Sequence, residues 1–132
     1  MNSRAEEAVK LKHNNHNCAQ AVACTYADIA GVDREILYKI NQAFGGGLGT
    51  MEGHCGAISG AATIVSLLGN DKKTTMKDMR EISNAFKERN GSVICKDLKG
   101  IETGKILRSC DDCVRDAAEF LEKILEDRGN EL

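Results

Sequence analysis

The sequence predicts an all-α fold, one domain over residues 1–132 built as a bundle of about five to seven helices. Three observations carry this expectation. Apolar residues recur at steps of three and four between polar caps and glycines. No stretch alternates apolar and polar residues as a half-buried strand does. The chain has no proline, no tryptophan and only 4% aromatic residues, which suits a core of small aliphatic side chains in close helix contact.

The first helix is expected over residues 4–14, opened by a capping box of Ser3 and Glu6. Asn17 and Gln20 repeat that pattern ahead of a mostly apolar second helix, Cys18 to Ala30, which Gly31 stops. Asp33 caps a third helix with Ile36, Leu37, Ile40 and Phe44 on one stripe, and a glycine-rich loop ends it. Seven of the 13 glycines lie between residues 45 and 60, where the backbone must turn with positive φ or approach a neighbour closely. The fourth helix runs from Cys55 to Leu68 with almost no charge and is the expected central helix. Its Gly56, Ser59, Gly60 and Thr63 leave one side without bulk, as tight helix packing requires. Thr74 or Thr75 opens a fifth helix with Met76, Met79, Ile82 and Phe86 inward, closing at Asn90-Gly91. Residues 92–100 read as a short helical turn and 101–108 as connecting structure. Ser109 caps a last helix with Cys110, Val114, Ala117, Leu121 and Ile124 or Leu125 on its stripe, and residues 127–132 are expected to fray.

Charge narrows the function classes. The formal net charge is −2, and no basic block offers a field for nucleic acid or an anionic membrane. The N-terminal residues lack the apolar core of a signal peptide, and the longest apolar run, Ala57 to Leu68, is too short to span a bilayer. The expectation is a cytoplasmic protein with no nucleic-acid partner and no membrane insertion. The apolar fourth helix permits a homodimer, and burial within one chain explains it equally well. The glycine run does not match a phosphate-binding loop, since it lacks G-x-x-x-x-G-K-[ST] and no strand leads into it.

Chemistry is expected at the six cysteines, which in a reducing compartment point to metal or redox use more than to structural disulfides. Cys18 follows the cap Asn17, Cys110 follows the cap Ser109, Cys55 opens the fourth helix, and Cys95 lies three residues after a candidate cap at Ser92. A helix N-terminus presents free N–H groups and the positive end of the macrodipole, which favours thiolate. Cys24, in mid-helix, reads as a core residue. Cys110 and Cys113 form a C-x-x-C, but the intervening Asp111 and Asp112 oppose thiolate formation and no βαβ pattern surrounds the motif. His13, His16 and Cys18 have ligand-like spacing, and an imidazolium at His54 would favour the Cys55 thiolate.

These residues give the chain its resemblance to a known family. Asn17 to Val22, the loop Phe44 to Gly49, the Cys55-Gly56-Ala57-Ile58-Ser59-Gly60 piece, the segment ending Cys95-Lys96-Asp97-Leu98, and Cys110 to Ala118 together resemble the C_GCAxxG_C_C family of redox-active proteins. The resemblance covers nearly the whole chain, and its CGAxxG piece is the most specific. It assigns the four family cysteines to Cys18, Cys55, Cys95 and Cys110, leaving Cys24 and Cys113 as extras. The family pattern often has proline after the last cysteine and a hydrophobic or aromatic residue where Cys113 stands. Asp111 replaces that proline, so Cys113 stays open as the alternative fourth cysteine. The resemblance implies redox or iron–sulfur chemistry and names no substrate.

Three functions follow as expectations. The first is thiol–disulfide or electron-transfer chemistry, with Cys55 attacking a disulfide, a second cysteine resolving the intermediate and a redox partner supplying electrons. The second uses Cys18, Cys55, Cys95 and Cys110 as four thiolate ligands to an iron–sulfur cluster or other metal ion. The third is a non-enzymatic helical interaction module.

Overall fold

The computed structural model describes residues 2–132. Among them are eight α-helices: α1 (Ala5–Lys12), α2 (Cys18–Thr25), α3 (Ala27–Ala30), α4 (Arg34–Ile40), α5 (Gly56–Leu68), α6 (Lys72–Asn90), α7 (Cys95–Lys99) and α8 (Cys110–Asp127). A short 3₁₀ turn, Gln42–Phe44, precedes the glycine loop. No helix among the described residues is long and apolar enough to cross a membrane.

Polar caps set several of the helix starts. The Asn17 side chain accepts from the Gln20 N–H, and the Gln20 side chain accepts from the Asn17 N–H in return, a complete capping box. Ser109 accepts from the Asp112 N–H to start α8. Gly31 and Gly91 end α3 and α6 in the left-handed conformation that glycine adopts without steric cost.

Five local expectations give way to tertiary contacts. The Ser3–Glu6 capping box does not form: Arg4 holds the N-cap of α1 without a side-chain cap, and Ser3 Oγ accepts from the Ala5 N–H instead. The second helix breaks at Tyr26. Thr25 Oγ1 bonds back to the Ala21 carbonyl, and Tyr26 is drawn inward to donate to buried Glu122 at 2.6 Å. Helix α4 buries only Leu37, while Ile36 and Ile40 are 50% and 47% exposed, because the chain leaves the helix at Asn41 before Phe44 can join the stripe. Asp71, not a threonine, caps α6 by accepting from the Thr74 N–H, so the helix starts earlier and Met76 turns outward. The C-terminal residues are tied down: the Asn130 N–H donates to the Leu125 carbonyl, Arg4 donates to the Leu132 carbonyl, and Leu132 packs on the core.

The core forms around α2 and α5, with α8 closing over both and α1 and α6 flanking it. Gly60 makes the central crossing possible. A Cβ there would run into the backbone carbonyl of Ala19, so α2 and α5 meet backbone against backbone. This contact brings the N-termini of α2 and α5 to the same end of the molecule. α8 contributes its own N-terminus to that end, and the glycine loop and α7 cover it.

Candidate thiol site

All six cysteines are free thiols. Cys18, Cys95 and Cys110 are the first residues of α2, α7 and α8, and Cys55 is the N-cap of α5. Cys113 lies one turn into α8, on the face that packs inward. These five line a single cavity of ≈ 20 Å³, about the room one water needs. Cys24 is apart from it, buried in α2 with its thiol donating to the Arg34 carbonyl at 3.6 Å.

Two backbone devices hold the cavity. Residues 53–55 and 93–95 run antiparallel for one bridge, His54 to Ile94, with the Cys55 N–H donating to the Val93 carbonyl and the Cys95 N–H to the Gly53 carbonyl. This clamp puts Cys55 and Cys95 side by side without a sheet. The glycine loop then winds left-handed, with positive φ at Gly46, Gly47, Leu48 and Gly49. A Cβ at Gly47 would stand 2.8 Å from the Cys95 Cβ, so only glycine lets the loop close over that cysteine. Leu48 and Met51 hold positive φ without being glycine, a strained conformation, and the Met51 sulfur lies 3.9 Å from the Cys95 thiol.

The thiols of the cavity differ in electrostatic character, Cys110 and Cys55 being lowered and Cys18 and Cys113 raised. Cys110 is half-buried, and its pKa is pulled down to about 5, first by the hydrogen bond from Cys18, then by the ammonium groups of Lys99 and Lys12. Cys18, set against that charge and partly desolvated near Cys55, is pushed up and keeps its proton. Cys55 is 5% exposed and is held below the ordinary thiol value by its bond with Cys113, helped by the amides of Ala57 and Ile58 at the start of α5. Cys113, 2% exposed, is pushed up by the same bond and by burial. Burial also raises Cys95. Burial opposes the charge on Lys99, yet the surrounding thiols, Cys110 foremost, hold its pKa above the usual lysine value.

The carboxylates of the C-x-x-C do not oppose the Cys110 thiolate as their sequence position implies. Asp111 accepts from Lys12 at 2.9 Å and from His13 at 2.8 Å, and Asp112 pairs with Arg115 at 2.9 Å. Each negative charge is answered before it reaches the sulfur. The expected grouping of His13, His16 and Cys18 does not form either. His13 turns to Asp111, His16 bonds the Asn14 carbonyl and meets Tyr38 edge-on, and Cys18 faces inward to Cys110. Among the described residues no group of three or more His, Cys, Asp or Glu side chains is arranged to hold a metal ion.

The sequence model described as "Putative redox-active protein (C_GCAxxG_C_C)" matches residues 16–124. The chain belongs to the C_GCAxxG_C_C family. No curated protein and no solved structure matches it.

Within this C_GCAxxG_C_C chain, sequence reasoning missed Lys99, Lys12 and Met51 as neighbours of the thiols. Lys99 had a readable signal, since it stands four residues after Cys95 and so shares its face of α7. Lys12 and Met51 had none, being brought in by chain folding. The pairing of Cys113 with Cys55 was hidden by the apolar stripe that Cys113 borders.

Proposed function

We propose that the chain performs thiol–disulfide exchange, with Cys110 as the attacking thiolate and Cys18 as the resolving thiol. One observation supports this above others. Of the thiols lining the cavity, Cys110 combines partial exposure with the ammonium groups of Lys99 and Lys12 and a second half-buried thiol, Cys18, on the same wall. Cys55, the nucleophile expected from sequence, is also held below the ordinary thiol value, by Cys113 and then by the amides at its helix start, but it is only 5% exposed.

The Cys110 thiolate attacks one sulfur of a disulfide R–S–S–R, forming Cys110–S–S–R and expelling RS⁻. Cys18 then passes its proton to the expelled thiolate and attacks Cys110 Sγ. The Cys18–Cys110 disulfide forms and a second RS⁻ leaves, so two electrons pass from the protein to the substrate. Lys99 and Lys12 hold the negative charge at Cys110 before attack and again when the bond is broken in reverse. A thiolate so stabilised is a good leaving group, so the Cys18–Cys110 disulfide is itself easily reduced by a partner dithiol. A four-thiolate metal set of Cys18, Cys55, Cys95 and Cys110 draws less support, because among the described residues these side chains are not arranged as a ligand group.

Alkylation of the reduced protein with iodoacetamide across pH 4 to 9, mapped by mass spectrometry, tests the assignment. Cys110 labels first, with a rate that climbs through pH about 5 and then levels. Cys110→Ser lowers reaction with a small disulfide at least about 100-fold, because a serine hydroxyl does not ionise at neutral pH. Cys24→Ser leaves it unchanged. Wild-type rates in Cys110→Ser, or stoichiometric iron and sulfide in protein purified without oxygen, would overturn the reading.

A further inference from the structure

The exchange reading leaves a second thiol pair unused. Cys55 and Cys113 line the same cavity as Cys18 and Cys110, but at 5% and 2% exposure they lie deeper than the half-buried outer pair. A cavity of ≈ 20 Å³ admits no substrate disulfide to them. It does place all four sulfurs of the two pairs on the wall of one cavity. A buried thiol held toward thiolate, with its own protonated partner, is equipped for exchange and has one route to an oxidant. Cys18 is placed to bridge the pairs: it shares the cavity with Cys110 and Cys113, and its Cβ lies against Gly56, the residue after Cys55.

We propose that the two pairs work in series, the outer Cys18–Cys110 pair meeting a small-molecule or peptide disulfide and the buried Cys55–Cys113 pair taking the disulfide from it. This rests on the exchange reading above. The internal step consumes no electrons. Cys55 S⁻ attacks Cys18 Sγ, forming Cys55–S–S–Cys18 and expelling Cys110 as the thiolate it prefers to be. Cys113 then attacks Cys55 Sγ and gives its proton to the departing Cys18. The products are the Cys55–Cys113 disulfide, the Cys18 thiol and the Cys110 thiolate, with the same charge as the reactants. The outer pair is restored and accepts a second disulfide, so the chain stores two disulfides in one cavity, and Cys113 becomes a working residue of the site.

Oxidised glutathione added to the fully reduced protein, with alkylation and disulfide mapping over time, tests the relay. With excess oxidant, wild type and Cys24→Ser release about four equivalents of thiol per chain, and Cys113→Ser about two. With one equivalent, Cys18–Cys110 appears first and gives way to Cys55–Cys113. In Cys110→Ser the buried pair oxidises at least tenfold more slowly, having lost its inlet. The wild-type time course stands alone if a variant fails to fold by circular dichroism. A Cys18–Cys110 link that persists while Cys55 and Cys113 stay reduced overturns the relay and spares the exchange reading. So does a buried pair that oxidises as fast without Cys110. Absence of any Cys18–Cys110 link overturns the exchange reading beneath it, and the relay with it.

Discussion

Cys110 carries its charge at a position where two adjacent aspartates face it in sequence, and the resolution lies in which partner each group meets first. Asp111 is engaged by His13, 98 residues away, and by Lys12, while the sulfur receives the Cys18 thiol and the Lys99 ammonium. A carboxylate already paired contributes little field beyond its partner. Removing one cation isolates this balance. In Lys99→Met the thiolate loses the larger of its two cationic supports, so the Cys110 pKa moves up from about 5 and the thiolate fraction at pH 5–6 falls. Alkylation of Cys110 in that pH range slows roughly threefold to tenfold, while the plateau rate above pH 8 holds. An unmoved midpoint would remove Lys99 from the site's electrostatics. The helix-start placement of the cysteines was legible in the sequence because Asn17 and Ser109 are local caps. The sign of each thiol's shift was not, because it depends on neighbours that only the folded chain assembles.

At the scale of elements, the same distinction between local and assembled causes separates what could be read from what could not. Starts at Asn17 and Ser109 and stops at Gly31 and Gly91 follow from side chains and backbone within one turn, and each is where its residue type implies. The break at Tyr26 follows from Glu122, on another helix, and the exposed stripe of α4 from where the chain turns at Asn41. The α2–α5 crossing sits between these cases: small residues announced close packing, and the structure supplies the partner. Gly60→Ala puts a methyl against the Ala19 carbonyl, an atom of a rigid helix that cannot swing aside. The helices must separate, at a cost of about 1–3 kcal/mol, although alanine favours helix over glycine by about 1 kcal/mol. Urea unfolding reads the balance as a lower midpoint. A midpoint equal to or above wild type would mean that the crossing relaxes freely and does not fix the α5 N-terminus that carries Cys55.

Across the whole molecule, Asp116 joins the thiol end to the long helix α6. It is 2% exposed, on α8, and accepts from Arg89 at 2.8 Å and Asn90 at 3.0 Å at the end of α6, and from Arg108 at 3.0 Å in the connection before α8. Arg108 reaches the cavity itself, and its carbonyl lies 4.0 Å from the Cys113 thiol. One carboxylate therefore anchors the segment that backs the buried thiol pair. Asp116→Ala frees both guanidiniums, but these are 41% and 35% exposed and water can take over much of their solvation. The loss that remains is the buried amide of Asn90 and the packing of the 101–108 connection, about 1–3 kcal/mol. For a chain of this size that lowers Tm by about 4–10 °C. Because the Arg108 carbonyl is released as well, Cys113 in the native variant labels faster with iodoacetamide than in wild type. Cys24, held by the Arg34 carbonyl in α2, keeps its protection and serves as the internal reference. A variant with wild-type Tm and an equally protected Cys113 would show that the ion-pair cluster and the thiol cavity are independent, whereas faster labelling of Cys24 along with Cys113 would mark global loosening instead of release of the connection.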